Sequence, residues 1–190
     1  MSLIQITTLA IMAVFYITYF AKQISQRKQG INTMILGEGN KPKNQKRLEI
    51  MLKGATFTMP VVEIASIWWN LMGLPLLVQW IGVAIAALGV SCFIAGMLTM
   101  KGSWRAGIPE KKETTLVTEG IYRISRNPAF LGFDLMYAGI LVAFPNAWHA
   151  VATALTILLF HKQILGEEHF LEEAFGDDYL NYKKKTNRYI

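Results

Sequence analysis

A single cysteine, Cys92, in 190 residues excludes a disulfide framework and any cysteine-rich metal site. The three histidines, His149, His161 and His169, are not spaced as metal ligands, so no metal is expected. Charge is scarce as well, at 17% against roughly 25% in an ordinary soluble domain. Positive charge is missing altogether from three long stretches. No Lys or Arg precedes Lys22, none falls between Lys53 and Lys101, and none between Arg126 and Lys162. All 19 basic residues therefore sit in three segments: eight from Lys22 to Lys53, six from Lys101 to Arg126 and five from Lys162 to Arg188. That layout argues against nucleic acid as the partner of the net +6 charge. It reads as a membrane topology signal with attraction to anionic headgroups.

The basic-free stretches are apolar, in a chain that is 53% hydrophobic with a mean hydropathy of +0.31. An apolar helix needs about 20 residues to cross roughly 30 Å of hydrocarbon. Leu3 to Ala21 suits one crossing. Gly54 to Met100 suits two, with Gly73-Leu74-Pro75 as the turn, and Ala129 to Leu165 two shorter ones broken at Pro145-Asn146. The expected fold is an all-α polytopic membrane protein with about five transmembrane helices. Two hairpins separate the basic segments, which places all three on one side. The positive-inside rule makes that side cytoplasmic, with the N-terminus outside and the C-terminus inside. Trp68, Trp69, Trp80 and Trp148 then mark the outer interface and Trp104 the inner one. The first span lacks a basic leader and a small-residue cleavage site, and reads as a retained helix. Residues 26–47 read as a polar, partly ordered surface loop, and no internal repeat is visible.

Small residues Gly82, Gly89 and Gly96, with Ala86 between, share one face of the third span. Such a face allows close helix approach, most simply within the chain, with a homodimer seam as the alternative. Two acids, Glu63 and Asp134, fall inside the expected bilayer, where ionisable groups are costly and mark function or pairing. Asn127-Pro128 reads as the start of the fourth span, with Asn at the N-cap and Pro at the first helical position. Such a helix end, with Arg126 beside it, suits a carboxylate. Asp134 follows Asn127 by seven residues and Phe130 by four, which puts all three on one helix face. That makes Asp134, Arg126 and Asn127 candidate catalytic residues, Asp134 for acceptor contact or proton removal.

The last third carries an ordered series: Leu116-Val117-Thr118-Glu119-Gly120-Ile121-Tyr122, then Arg126-Asn127-Pro128-Ala129-Phe130, a hydrophobic hairpin, Glu167-Glu168, and Phe175-Gly176-Asp177-Asp178-Tyr179. Over residues 96–190 this resembles the isoprenylcysteine carboxyl methyltransferase and phospholipid methyltransferase superfamily of small membrane methyltransferases. The resemblance implies a division into a three-span region, 1–100, and a methyltransferase region, 101–190. It also implies S-adenosyl-L-methionine as cofactor, with S-adenosyl-L-homocysteine as product. Leu116, Val117, Tyr122, Asn127, Pro128, Ala129, Phe130, Glu167 and Glu168 are then cofactor-binding positions, and Gln163 and Asp134 substrate-binding ones. Three positions depart from the family's pattern: Asn127 stands for the usual His, Phe130 for Tyr, and Gln163 for the arginine that reads the prenylcysteine carboxylate. The implied acceptor is a membrane lipid or lipid-anchored small molecule, reached from the cytoplasmic side of a prokaryotic cytoplasmic membrane. A phospholipid headgroup N-methyltransferase is the alternative within enzymes. A non-catalytic scaffold or small transporter with a degenerate methyltransferase fold is the alternative outside them.

Overall fold

Six helices account for most of the chain in the computed structural model, which describes residues 1–109 and 115–190. Lys111 and Lys112 of the second basic segment lie outside the described residues. Helix α1 (Leu3–Lys28) opens on a capping box between Ser2 and Gln5 and closes with Arg27 and Lys28 in its last turn, where cations meet the negative end of the helix dipole. Helix α2 (Lys43–Trp69) ends on Asn70 in the left-handed conformation. Pro75 immediately precedes α3 (Leu76–Met100), so the expected Gly73-Leu74-Pro75 turn is there. Helix α4 (Pro128–Ala143) has proline as its first residue. Helix α5 (Ala147–Phe175) starts where Asn146 accepts the His149 amide at 2.9 Å, and α6 (Asp177–Lys185) completes the set.

The all-α class is therefore found, with no strand among the described residues. Helices α1, α2 and α3 are long and apolar enough to cross a membrane. Helix α4, with 16 residues, is apolar but short of the usual crossing length. The apolar part of α5 ends at Leu165, and its last turns carry Glu167, Glu168, Glu172 and Glu173.

Helices α3 and α4 form the tightest pair, and glycine is the reason. A Cβ on Gly139 would lie 2.4 Å from the Ala86 amide nitrogen, and one on Gly89 would lie 2.5 Å from that of Met136. Gly82 and Gly132 meet opposing backbone as closely. The small-residue face of α3 is thus used inside the chain, against a matching glycine face on α4. Beside this seam an aromatic cluster joins α1, α3, α4 and α5. Phe15 packs on Phe93 at 4.5 Å and on Phe133 at 4.9 Å, and Phe133 packs on Phe160 at 5.0 Å. Trp104 is buried edge-on against Tyr19 and Phe93. Glu63 is fully buried, and neither of its carboxylate oxygens has a partner at hydrogen-bond distance among the described residues.

Residues 30–42, 101–109 and 115–127 meet the C-terminal part of the chain at one end of the bundle. Met34 and Ala106 pair as an isolated parallel bridge, with Ala106 N donating to Thr33 O at 2.8 Å and Ile35 N to Ala106 O at 3.0 Å. The first loop is thus held by backbone pairing. Glu49, 0% exposed, fastens it further. Its Oε2 accepts from Lys41 Nζ at 2.6 Å and from the Gly37 amide at 2.8 Å, and its Oε1 accepts from the Ile108 amide at 3.1 Å.

Candidate functional site

A cavity of about 310 Å³ opens at this end and runs between the helices, within the size range of small-ligand pockets, roughly 300–1,000 Å³. Most of its polar residues come from the loop end: Arg105, Tyr122, Arg126 and Asn127 before and at the start of α4, Gln163 and Glu167 on α5, and Tyr179 and Tyr182 on α6. Tyr16 and Tyr19 on α1 and Thr56 on α2 line it as well. Deeper along the helices the wall turns aromatic, with Phe15, Phe57, Phe93, Phe133 and Phe160. Phe20 and Phe57 also line it while 45% and 56% exposed. The cavity therefore reaches the apolar outer surface between α1 and α2.

Of the residues singled out in the sequence, Leu116, Val117, Tyr122, Arg126, Asn127, Ala129, Phe130, Gln163 and Glu167 line this one cavity. Pro128, Glu168 and Asp134 are not among its lining residues. Pro128 is buried as the first residue of α4, where its ring packs near Gly96. Asp134 shares a helix with Asn127 and Phe130 but not their outlook: its Oδ1 is buried without a partner, and Phe133 takes the place on the wall.

The adjacent carboxylates do different things. Glu168 is the centre of an ion-pair triad. Arg126 donates to its Oε1 through Nη2 at 2.8 Å and Nε at 3.3 Å. Arg188 donates to Oε2 through Nη2 at 2.8 Å and to Oε1 through Nε at 3.1 Å. Burial alone would raise the Glu168 carboxyl, but the two guanidiniums outweigh it and hold the group below the usual glutamate value. Arg126 Nη1 is spent on the Thr186 and Lys183 carbonyls, at 2.5 and 3.3 Å. The arginine expected to face a ligand carboxylate is therefore engaged by its own chain. Asn127 likewise departs from its expected role, because its side chain makes no cap bond. Its Nδ2 donates to Arg188 O at 3.2 Å and Glu168 Oε1 at 3.4 Å, which ties the start of α4 to residues 186–190.

Glu167 points the other way, into the cavity. Gln163 Nε2 donates to it at 3.1 Å, and among the described residues it forms no ion pair. Burial pushes its carboxyl up to about 7, against the opposing hydrogen bond from Gln163. Gln163 is itself fully buried, accepts from Gln45 Nε2 at 2.9 Å and reaches Glu49 Oε1 at 3.5 Å. It positions Glu167. Glu49 and Gln45, which anchor that arrangement, escaped the sequence reading because they sit inside a run of lysines and arginines. Farther along α5, Glu172 forms an ion pair with Lys183 of α6.

The raised Glu167 carboxyl has a measurable consequence. The folded chain holds this proton more tightly than the unfolded chain, so the contribution to stability is full below the ordinary glutamate value and fades as pH rises toward about 7. We expect the ligand-free protein to lose thermal stability across that interval, and Glu167→Gln to flatten the slope, as followed by unfolding in one detergent at several pH values. An equal slope in both proteins would refute the assignment.

A half-buried carboxylate without an ion-pair partner among the described residues, in a cavity also lined by three tyrosines at its polar end, suits a ligand with a cationic group and a flat ring, and the aromatic channel suits an apolar chain. Comparison with known proteins agrees in kind. The pattern of the phospholipid methyltransferase family matches residues 77–178. Protein-S-isoprenylcysteine O-methyltransferase A of Arabidopsis thaliana is 43% identical over 72 residues, 37% of this chain and 36% of that protein. Protein-S-isoprenylcysteine O-methyltransferase B of the same plant is 35% identical over 80 residues, 42% of this chain and 41% of that protein. A probable protein-S-isoprenylcysteine O-methyltransferase of Oryza sativa subsp. japonica is 27% identical over 140 residues, 72% of this chain and 69% of that protein. The matched stretch thus spans about two fifths of the length of the two Arabidopsis proteins.

Proposed function

The chain belongs to the phospholipid methyltransferase family, and from that premise we propose that it is an integral-membrane methyltransferase using S-adenosyl-L-methionine. The observation that carries the reading is one cavity joining a half-buried carboxylate without an ion pair among the described residues, Glu167, to an aromatic channel that reaches the apolar surface. The cofactor's sulfonium supplies an electrophilic methyl group, and its displacement needs no protein nucleophile. The chain's part is to bind, orient and exclude water. Glu167 pairs with a cationic group of the cofactor, held in register by Gln163. Tyr122, Tyr179 and Tyr182 offer faces for a ring, and Leu116 and Val117 close the wall. Glu168 acts at one remove, through Arg126 and Asn127, by keeping the start of α4 in place.

The acceptor is an amphiphile whose apolar part lies in the channel and whose headgroup meets the polar end. It arrives from the bilayer between α1 and α2, where Phe20 and Phe57 flank the opening. An isoprenylcysteine carboxylate is the leading substrate class, after the names of the relatives, and a phospholipid headgroup amine the second, after the name of the family. In this reading α1 to α5 make five crossings, with the loop end and the cavity mouth on the cytoplasmic side.

Calorimetric titration of detergent-purified protein with S-adenosylmethionine and S-adenosylhomocysteine tests it. Micromolar binding is expected for the native protein, and loss of at least tenfold in Glu167→Ala. Well-folded native protein that takes up neither ligand would sink the enzyme reading.

A further inference from the structure

Three arginines surround the polar end of the site, and each has one edge, Nε with Nη2, that meets a carboxylate or phosphate side-on through two parallel bonds. Arg126 gives that edge to Glu168. So does Arg188. Arg105 does not. Both protons of its Nη1 are spent on its own backbone, on Gly102 O at 2.6 Å and Trp104 O at 2.9 Å, which locks the guanidinium plane. Its Nε and Nη2 have no acceptor among the described residues, and Arg105 lies in the wall of the cavity. Gln163, where the family's pattern has an arginine, is neutral and committed to Glu167, Gln45 and Glu49.

Resting on the function proposed above, we infer that Arg105 is the anion anchor of this cavity, taking a carboxylate or phosphate of the bound ligand on its Nε–Nη2 edge. The half-buried setting favours this, since the guanidinium is partly withdrawn from water and its orientation is already paid for by the two carbonyls. Two sources of such an anion fit: the headgroup of the amphipathic acceptor, or the carboxylate of the cofactor's amino-acid part. Arg105 does for either what Arg126 cannot, because Arg126 has surrendered the same edge to Glu168.

The test compares native protein, Arg105→Met and Arg105→Lys in neutral lipid nanodiscs. The acceptor arm uses dodecanoate and dodecyl phosphate against dodecanol. The cofactor arm uses S-adenosylhomocysteine against methylthioadenosine, which lacks the amino-acid part. A headgroup anchor appears as native preference for the anionic amphiphiles of about tenfold or more, abolished in Arg105→Met with S-adenosylhomocysteine affinity unchanged. A cofactor anchor appears as a loss of about tenfold for S-adenosylhomocysteine, with methylthioadenosine unaffected. Arg105→Lys retains charge without the paired edge and recovers only part of either effect. A side chain that merely braces its own loop would lower the unfolding temperature of Arg105→Met and leave every binding ratio intact, which overturns the inference. Native protein that binds none of these ligands overturns the proposed function first. Native binding that Arg105→Met reproduces overturns the anchor alone.

Discussion

Gly139→Ala is expected to destabilise the protein by about 3 kcal/mol, although alanine is the better helix former by about 1 kcal/mol. The added methyl would stand 2.4 Å from the Ala86 amide nitrogen and 2.6 Å from the Gly82 carbonyl oxygen. Neither atom belongs to a flexible side chain, so α3 and α4 must move apart along their length. Overpacking of a rigid site costs typically 1–3 kcal/mol, and the loss of close helix contact adds to it. Gly89→Ala meets the same barrier at Met136 N and Gly132 O. The control is Gly54→Ala on α2, where nothing lies within 4 Å of the new atom. There the intrinsic preference should prevail, and stability should hold or rise. Denaturant unfolding of the three variants in one detergent decides the matter, and equal behaviour of Gly139→Ala and Gly54→Ala would show that the seam is not tight.

Removal of Glu168 should be comparably severe and more local. Arg126 and Glu168 are 7% and 5% exposed at their side chains, Arg188 32%. Deleting the carboxylate leaves two guanidiniums facing each other with their anion gone. Breaking a buried pair from one side costs about 3–5 kcal/mol. For Glu168→Ala the lower end is appropriate, because half-exposed Arg188 can turn to water. Hydrogen exchange should localise the damage to residues 183–190 and the start of α4, which Arg126 and Asn127 tie together. The acid response runs opposite to that of Glu167. The Glu168 carboxyl is held low, so its contribution is present above the ordinary glutamate value and is lost as pH falls through the folded one. If exchange in residues 183–190 is the same in native protein and Glu168→Ala, the triad does not hold this segment.

Hydropathy and turn residues made the helix order legible, because apolar length and Gly/Pro punctuation are local properties. Helix ends were less so. Helix α2 starts at Lys43, eleven residues before the apolar run at Gly54, since hydropathy measures contact with lipid and the helix continues into a polar layer where Glu49 and Gln45 face inward. The α3 glycine face was visible, but its partner was not, as pairing is a property of two segments at once. Gly132 and Gly139 carry the same seven-residue spacing and would have suggested it. At the site, composition placed Glu167 and Glu168 side by side, and successive residues on a helix point about 100° apart. Only the structure separates the carboxylate in the cavity from the one that binds Arg126 and Arg188.

The ligands of Glu49 come from very different distances along the chain, which bears on the order of assembly during synthesis. Its Oε2 is met by Gly37 and Lys41, within twelve residues. The long-range partners of Oε1, Ile108 and Gln163, are 59 and 114 residues downstream. When α2 leaves the ribosome, Oε2 can be satisfied at once, while Oε1 has only Gln45, four residues away, at 3.2 Å. Its other partners come later, first Ile108 and then Gln163 on α5. A chain stalled before Gln163 would therefore lack the last partner of this oxygen at the base of α2, and the last long helix to be made is the one that completes the polar layer.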